Sequence, residues 1–286
     1  MPSESRRSPP VEAAAATVSA LNRAARRVTT PCGDGTMVWR VWGAGEPVVL
    51  LHGGYGSWTH WIRAIPELSQ HYEVWVPDMP GLGSSALPPE PTPPGIANVV
   101  AAGLTEIFPP RAELRLVGFS FGGHIATLAA AQVGERLHNL TLVGVAALGL
   151  KAVPREPFAK ERPGMSWEER AQVHRRNLEI LMFADPANID PLAVYLQAEN
   201  VARARFYSRA FAGSDAIART LADVAVPLKT IWGTRDVIAR PSLEARLEVL
   251  RRHHPELEAR LIEGAGHWVM YEAADAFRAA FLDLMR

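Results

Sequence analysis

The run Leu114-Arg-Leu-Val-Gly118-Phe-Ser120-Phe-Gly122-Gly123-His-Ile-Ala-Thr-Leu-Ala-Ala130 constrains the fold more than any other part of the chain. A short apolar segment stops at a G-x-S-x-G pentapeptide, and a small-residue helical pattern follows at once. A chain that passes from strand to helix in one turn must bring the two elements close together. Residues as small as Gly118 and Gly122 permit that approach. The turn strains the backbone of Ser120 and exposes its hydroxyl. The N–H of Phe121, at the start of the helix, then points where an anion can be held. The pattern predicts a nucleophilic serine. Its plain alternative is a Gly-rich turn with Ser120 as an N-cap.

A nucleophilic serine needs a base, and the chain offers nine histidines. His52 belongs to a tight turn, and His60 and His71 flank an early helix. His124 lies inside the helix after Ser120, His138 begins a strand, and His174 sits in a polar helical run. His253 and His254 are near a helix end, before Pro255. Only His267 falls in a Gly-rich loop, Glu263-Gly-Ala-Gly-His267-Trp268, directly after the strand pattern Leu257–Ile262. Loops at strand ends carry catalytic groups, and a histidine late in the chain has the right order after the serine. A capping or core role is the alternative for it.

The group that orients the imidazole should come between serine and histidine in sequence. In Lys229-Thr-Ile-Trp232-Gly233-Thr-Arg-Asp236 an apolar strand ends in Gly and then delivers a carboxylate. The strand after the Ser120 helix, Leu140–Leu150, has no acidic residue, and Asp223 precedes its strand instead of following it. Asp236 is therefore the expected partner of His267, with capping of a helix from Pro241 as its structural alternative.

Strand patterns occur near Arg27–Thr30, Met37–Trp42, Val48–Leu51, Tyr72–Val76, Leu114–Val117, His138–Val145, Leu228–Trp232 and Leu257–Ile262, with helical patterns between most of the later ones. This alternation predicts an α/β fold, a mostly parallel eight-stranded twisted sheet with helices on both faces. The first two strands, joined by Gly33-Asp-Gly35, read as an antiparallel edge hairpin. Residues 1–10 read as a flexible tail and 11–27 as a helix. Between 149 and 222 only helical patterns occur. Ser166-Trp-Glu-Glu169 is a capping box opening a helix to about Met182, and Asp190-Pro191 opens another to about Arg209. The expected organisation is an N-terminal tail and helix over 1–27, a core from 28–148 and 223–286, and a helical insertion over 149–222.

Lys plus Arg and Asp plus Glu number 30 each, a balance that argues against a nucleic-acid partner. Cys32 is the only cysteine, so the chain has no internal disulfide and does not require an oxidising compartment. No apolar stretch approaches the ~18 residues of a membrane span, and the expected location is the cytoplasm. There is no H-E-x-x-H, no paired-cysteine site and no G-x-G-x-x-G after a strand, so neither a metal nor a cofactor is expected.

Taken in order, several motifs resemble those of the α/β-hydrolase superfamily over Val28 to Arg286. Val48-Val-Leu-Leu-His52-Gly53-Gly54 is similar to its strand and oxyanion turn, and Asp78-Met-Pro80-Gly81-Leu-Gly83-Ser-Ser85 to its D-x-P-G-x-G-x-S loop. The Ser120 elbow, W-G-x-x-D and G-H-W complete the series. The resemblance implies that Gly54 supplies a second oxyanion N–H beside Phe121. It also implies that the helical insertion is a cap that roofs the site and shapes the substrate pocket. The alternative for the insertion is oligomerisation.

A narrower resemblance is to the meta-cleavage-product hydrolases, which break a C–C bond. His267-Trp268 and the capped serine architecture fit them. Phe119 stands where that group usually has Asn, and Phe121 where it has Met. Tyr195-Leu-Gln-Ala-Glu-Asn200 lacks the group's carboxylate-binding Arg, although Arg205 and Arg209 lie close to the face of Tyr195 and Ala202 at helical spacing. Solvation of both arginines at a helix end is their alternative reading. Tyr55, Trp58, Trp61, Phe119, Phe121 and Trp268 crowd the expected entrance, which favours an apolar or aromatic small-molecule substrate, unless Trp58 and Trp61 serve only core packing. The expectation is a cofactor-free serine hydrolase acting on a small, largely apolar ester through an acyl-enzyme. C–C hydrolysis and a slow-turnover ligand-binding receptor are the alternatives.

Overall fold

All eight apolar segments become strands of one sheet in the computed structural model, which describes residues 9–110, 112–151, 153 and 155–286. In chain order they are β1 (Arg26–Cys32), β2 (Gly35–Trp42), β3 (Pro47–Leu51), β4 (Glu73–Pro77), β5 (Leu114–Phe119), β6 (Leu137–Val143), β7 (Leu228–Gly233) and β8 (Glu258–Ile262). Across the sheet they lie β1-β2-β4-β3-β5-β6-β7-β8. The strands from β4 through β8 pair in parallel, whereas β1 with β2 and β2 with β4 are antiparallel. This is the mostly parallel α/β sheet with an edge hairpin that the alternation predicts.

The helices are α1 (Pro9–Ala24), α2 (Ile65–Leu68), α3 (Pro93–Ile107), α4 (Phe121–Val133), α5 (Trp167–Leu181), α6 (Pro191–Arg203), α7 (Ala216–Thr220), α8 (Leu243–His253), α9 (Val269–Glu272) and α10 (Ala274–Leu284). Side chains alternate across a strand, so β3 serves two cores at once. Val49 and Leu51 pack with Ile96 and Val100 of α3 and Ile125 of α4. Val48 and Leu50 pack with Phe277 and Phe281 of α10 on the other face. Burial on both faces explains why β3 reads as an apolar run without polar alternation.

The N-terminal helix differs from the expected 11–27. It begins at Pro9, where proline fits the first turn, and ends at Ala24. Arg26 and Arg27 leave it to pair with Val41 and Arg40 on the sheet edge, where charged side chains remain solvated. Of the expected tail, residues 1–8 lie outside the described residues. Val11 and Ala14 of α1 are buried. The helix packs on α6, and it is pinned to the sheet where Trp42 Nε1 donates to the Leu21 carbonyl at 2.9 Å and Arg40 Nε to Asn22 Oδ1 at 2.7 Å.

Between β6 and β7 the described residues form helices and turns and no strand. Ser166 and Glu169 make the reciprocal capping box of α5, and Asp190 caps α6 with Pro191 at its first position. However, α6 stops at Arg203, short of the expected Arg209. The backbone N–H of Arg205 is taken by the Gly81 carbonyl at 2.9 Å, and its guanidinium bonds the Ser85 carbonyl. The loop after β4 thus competes with the helix for these groups and ends it. No helix among the described residues is long and apolar enough to cross a membrane.

Candidate active site

Three strand ends converge on one point. Ser120 follows β5 with φ 53°, ψ −117°, the strained geometry that the elbow predicts. A Cβ on Gly122 would run into the carbonyl oxygens of Leu51 and His52, so the close approach of α4 to β3 depends on glycine there. Asp236 stands in the turn after β7 and His267 in the loop after β8.

The three side chains form a hydrogen-bonded line. His267 Nε2 lies 3.0 Å from Ser120 Oγ, and Nδ1 lies 2.9 Å from Asp236 Oδ2. With Asp236 ionised, Nδ1–H is the donor, which leaves Nε2 free to accept from the serine hydroxyl. Asp236 Oδ1 also accepts the Ile238 N–H at 2.7 Å, so the carboxylate caps a short turn and holds the imidazole together. Asp236 and His267 are both 2% exposed, which shields the pair from water.

The turn Gly53-Gly54 is held by two buried histidines. His52 Nδ1–H donates to the Gly53 carbonyl at 2.8 Å, while its Nε2 accepts the Met79 N–H at 2.9 Å. The Gly53 N–H donates to His60 Nδ1 at 3.1 Å. In a trans peptide the Gly54 N–H points opposite to the Gly53 carbonyl, so the grip of His52 aims that N–H away from itself. Neither Gly54 N–H nor Phe121 N–H bonds a backbone carbonyl of a described loop or turn. Burial pushes the pKa of both histidines down, with His267 and His52 as neighbours lowering that of His60 further.

A cavity of about 110 Å³ opens above Ser120 and His267 and is bounded by Gly54, Tyr55, Phe121 and Arg209. Four residues expected to contact the substrate sit elsewhere. Trp58 packs between Trp42 and the Arg40 guanidinium, at 5.5 and 5.2 Å. Phe119 supports the His267 ring from below, at 4.9 Å between centroids. Trp268 stacks on Tyr271 at 4.2 Å and donates to the His60 carbonyl at 2.8 Å. Arg205 is bound to the Ser85 carbonyl. Trp61 is also buried, against Phe119 and Phe277. Phe119, Trp61 and Trp268 pack around His60 and His267 instead of forming the cavity wall, while Trp58 packs with Trp42.

The structure adds groups that sequence patterns do not mark. Gly144, at the end of β6 with φ +55°, leaves room for the Asp–His pair, since a Cβ there would lie 2.9 Å from Asp236 Oδ2 and 3.2 Å from His267 Nδ1. Arg155, from the irregular run after β6, lines the cavity with Arg209, whose guanidinium lies over Phe158 at 3.9 Å and Tyr55 at 5.2 Å. Burial lowers the Arg155 pKa, Arg209 lowers it further, and Asp236 opposes both. Ser208 and His124 also face the cavity. A glycine closing β6 was the one available signal; Arg155 and Ser208 sit in segments without periodicity. Among the described residues no three His, Cys, Asp or Glu side chains gather to hold a metal ion.

Known proteins with similar sequences include 2-hydroxy-6-oxo-2,4-heptadienoate hydrolase of Pseudomonas putida, 36% identical over 114 residues that make up 38% of this chain and 41% of the relative. Pimeloyl-[acyl-carrier protein] methyl ester esterase of Aeromonas hydrophila is 38% identical over 103 residues, 35% of this chain and 38% of the relative. The chain therefore spans less than half the length of either of these two relatives. A crystal structure of a putative aryl esterase from Burkholderia cenocepacia superposes with a TM-score of 0.74 at 24% identity, covering 91% of this chain and 98% of the other, a likeness of fold. The alpha/beta hydrolase family model matches residues 48–280, from the first parallel strand to the last helix, and the chain belongs to that family.

Proposed function

We propose that the protein is a serine hydrolase that cleaves a small, largely apolar carboxylic ester through an acyl-enzyme. The hydrogen-bonded line from Ser120 through His267 to Asp236 carries this reading. His267 Nε2 takes the proton of Ser120 as Oγ attacks the carbonyl carbon. The Gly54 and Phe121 N–H groups hold the oxyanion. His267 then gives its proton to the departing alkoxide, so an alcohol leaves and Ser120 stays acylated. Water, deprotonated by His267, attacks the acyl carbon, and the acid is released as Ser120 regains its proton. Asp236 holds the tautomer and stabilises the imidazolium.

The helical insertion over 149–222 acts as the cap in this reading. It supplies Arg155 and Arg209 to the cavity.

Those two arginines favour a second reading. Neither pairs with a carboxylate of a described residue, and two like charges lie close together in a partly apolar cavity. Such an arrangement suits a substrate that carries a carboxylate. The hydrolase of P. putida is named for a dienoate. C–C cleavage of an acidic ring-fission product is therefore the alternative chemistry for the same nucleophile.

A fluorophosphonate label on Ser120, followed by a panel of neutral and acidic substrates, tests both. Ser120→Ala is expected to abolish labelling and lower turnover by at least ~10³-fold. Retained turnover would reject the mechanism. Arg155→Ala and Arg209→Ala are expected to leave neutral esters nearly unchanged. A selective loss of about 2–5 kcal/mol on acidic substrates would move the reading to C–C hydrolysis. Labelling without turnover on any substrate would favour the receptor.

A further inference from the structure

We propose that Ser208, supplied by the insertion, is a third hydrogen-bond donor to the oxyanion that forms above Ser120. This rests on the serine-hydrolase reading and extends it, since the two backbone donors come from the core and the third from the segment above it.

Ser208 opens a short 3₁₀ turn (Ser208–Phe211) beyond α6. It is 6% exposed, and its residue lines the same cavity as Ser120, His267, Gly54 and Phe121. Its hydroxyl is not a partner in any hydrogen bond found among the described residues, yet it is not sealed inside the protein. A buried hydroxyl without a partner costs free energy, and a cavity-facing one recovers that cost when a ligand atom accepts from it.

Its position is specific. A Cβ on Gly54 would overlap Ser208 Oγ and lie 3.0 Å from Ser208 Cβ and 3.5 Å from Phe121 Cβ. The hydroxyl therefore rests on the α-carbon of one proposed backbone donor and beside the residue that carries the other. Absence of a side chain at Gly54 is what lets it come so close.

Ser208 is held there from both sides. Before it, the Arg205 N–H bonds the Gly81 carbonyl at 2.9 Å, and Phe206 stacks on Phe121 at 5.6 Å. After it, Phe211 stacks on Phe206 at 5.9 Å. A donor fixed before reaction stabilises developing charge without reorganising. The hydroxyl donates its proton to a hydrogen bond and transfers none, so the bond-making and proton steps of the proposed reaction are unchanged.

The test uses Ser208→Ala and Ser208→Cys in the full chain. Cysteine nearly keeps the packing against Gly54 and replaces a good donor by a weak one. Three quantities are measured: kcat and KM on p-nitrophenyl acetate, the second-order rate of fluorophosphonate labelling of Ser120, and the inhibition constants of phenylboronic acid and of acetate. Phenylboronic acid forms a tetrahedral adduct on Ser120, whereas acetate does not. Both variants are expected to lower kcat and the labelling rate by about 10- to 100-fold, and to weaken phenylboronic acid by a similar factor. KM and acetate inhibition should stay within about twofold.

Wild-type kcat, labelling rate and boronate affinity in either folded variant would overturn the proposal. So would a loss that appears equally in acetate inhibition or only in KM, because that marks a ground-state or packing contact. Ser120→Ala, run beside them, separates the two ideas. If it keeps esterase activity the nucleophile assignment itself fails, whatever Ser208 does.

Discussion

Glu272 accepts the backbone N–H of Gly266 at 2.7 Å, one residue before His267. The same carboxylate accepts the N–H groups of Ala184 and Asp185, at 3.0 and 2.9 Å. It therefore joins the loop that carries the imidazole to the segment after α5. Glu272→Gln turns an amide NH₂ toward some of these donors. Misplacement of a catalytic group by ~1 Å can cost ~10²-fold, so kcat on a reactive ester is expected to fall by at least ~10-fold. A Glu272→Gln enzyme with wild-type kcat would show that this link does not position His267.

Asp236→Asn offers His267 Nδ1 an amide in place of a carboxylate and favours the wrong tautomer. By analogy with serine proteases, where the same substitution leaves the geometry intact but fixes the wrong tautomer, turnover is expected to fall by as much as ~10⁴-fold. Thermal melting should show a folded protein. Asp223→Asn is the control, since Asp223 ends a short turn before β7, and its turnover should stay near wild type. The reverse ranking of the two variants would displace Asp236 from the proposed mechanism.

Stability should decline in mild acid. Burial lowers the His124 pKa from 6.5 to about 4, and burial lowers those of His52 and His60 as well. The unfolded chain therefore binds more protons than the native state below about pH 6.5. Stability from these groups is complete above that pH and is lost as pH falls toward 4. At 1.36 kcal/mol per unit, His124 alone accounts for about 2 kcal/mol at pH 5. Urea unfolding of wild type and His124→Gln at pH 7.5 and 5 is the check. The variant should lose about 2 kcal/mol less between the two pH values, and identical losses would refute the assignment.

Arg40 and Asp78 form a buried ion pair at 3.0 Å, with side chains 4% and 1% exposed. Asp78 also accepts the N–H groups of Trp58 and Ser84, each at 2.9 Å. Asp78→Asn leaves the Arg40 guanidinium charged, buried and without its counter-ion. A cost of about 3–5 kcal/mol is expected. In a chain of this size that lowers Tm by roughly 5–10 °C. An unchanged Tm would mean that water or Asn22 compensates the charge.

The Ser120 elbow, the strand after it and the residues at the ends of β7 and β8 could be read from residue order, because their causes are local. A G-x-S-x-G turn, an apolar run and a glycine before a carboxylate each act over a few residues, and eight such runs suffice to predict the sheet. Helix ends were less legible. α6 stops at Arg203 because Gly81, far away in sequence, takes the Arg205 N–H. Periodicity alone has no access to that competition.

Aromatic placement was decided by the same kind of distant contact. Trp58, Phe119 and Trp268 are near the site in sequence, yet each meets a partner from another element and turns inward. Conversely, Arg155 and Ser208 carry no motif, and they reach the cavity above Ser120 and His267 from the insertion. Local backbone preference determines where a nucleophile can stand. What surrounds it depends on side-chain packing between segments that the sequence keeps apart, and that is settled only when the whole chain closes.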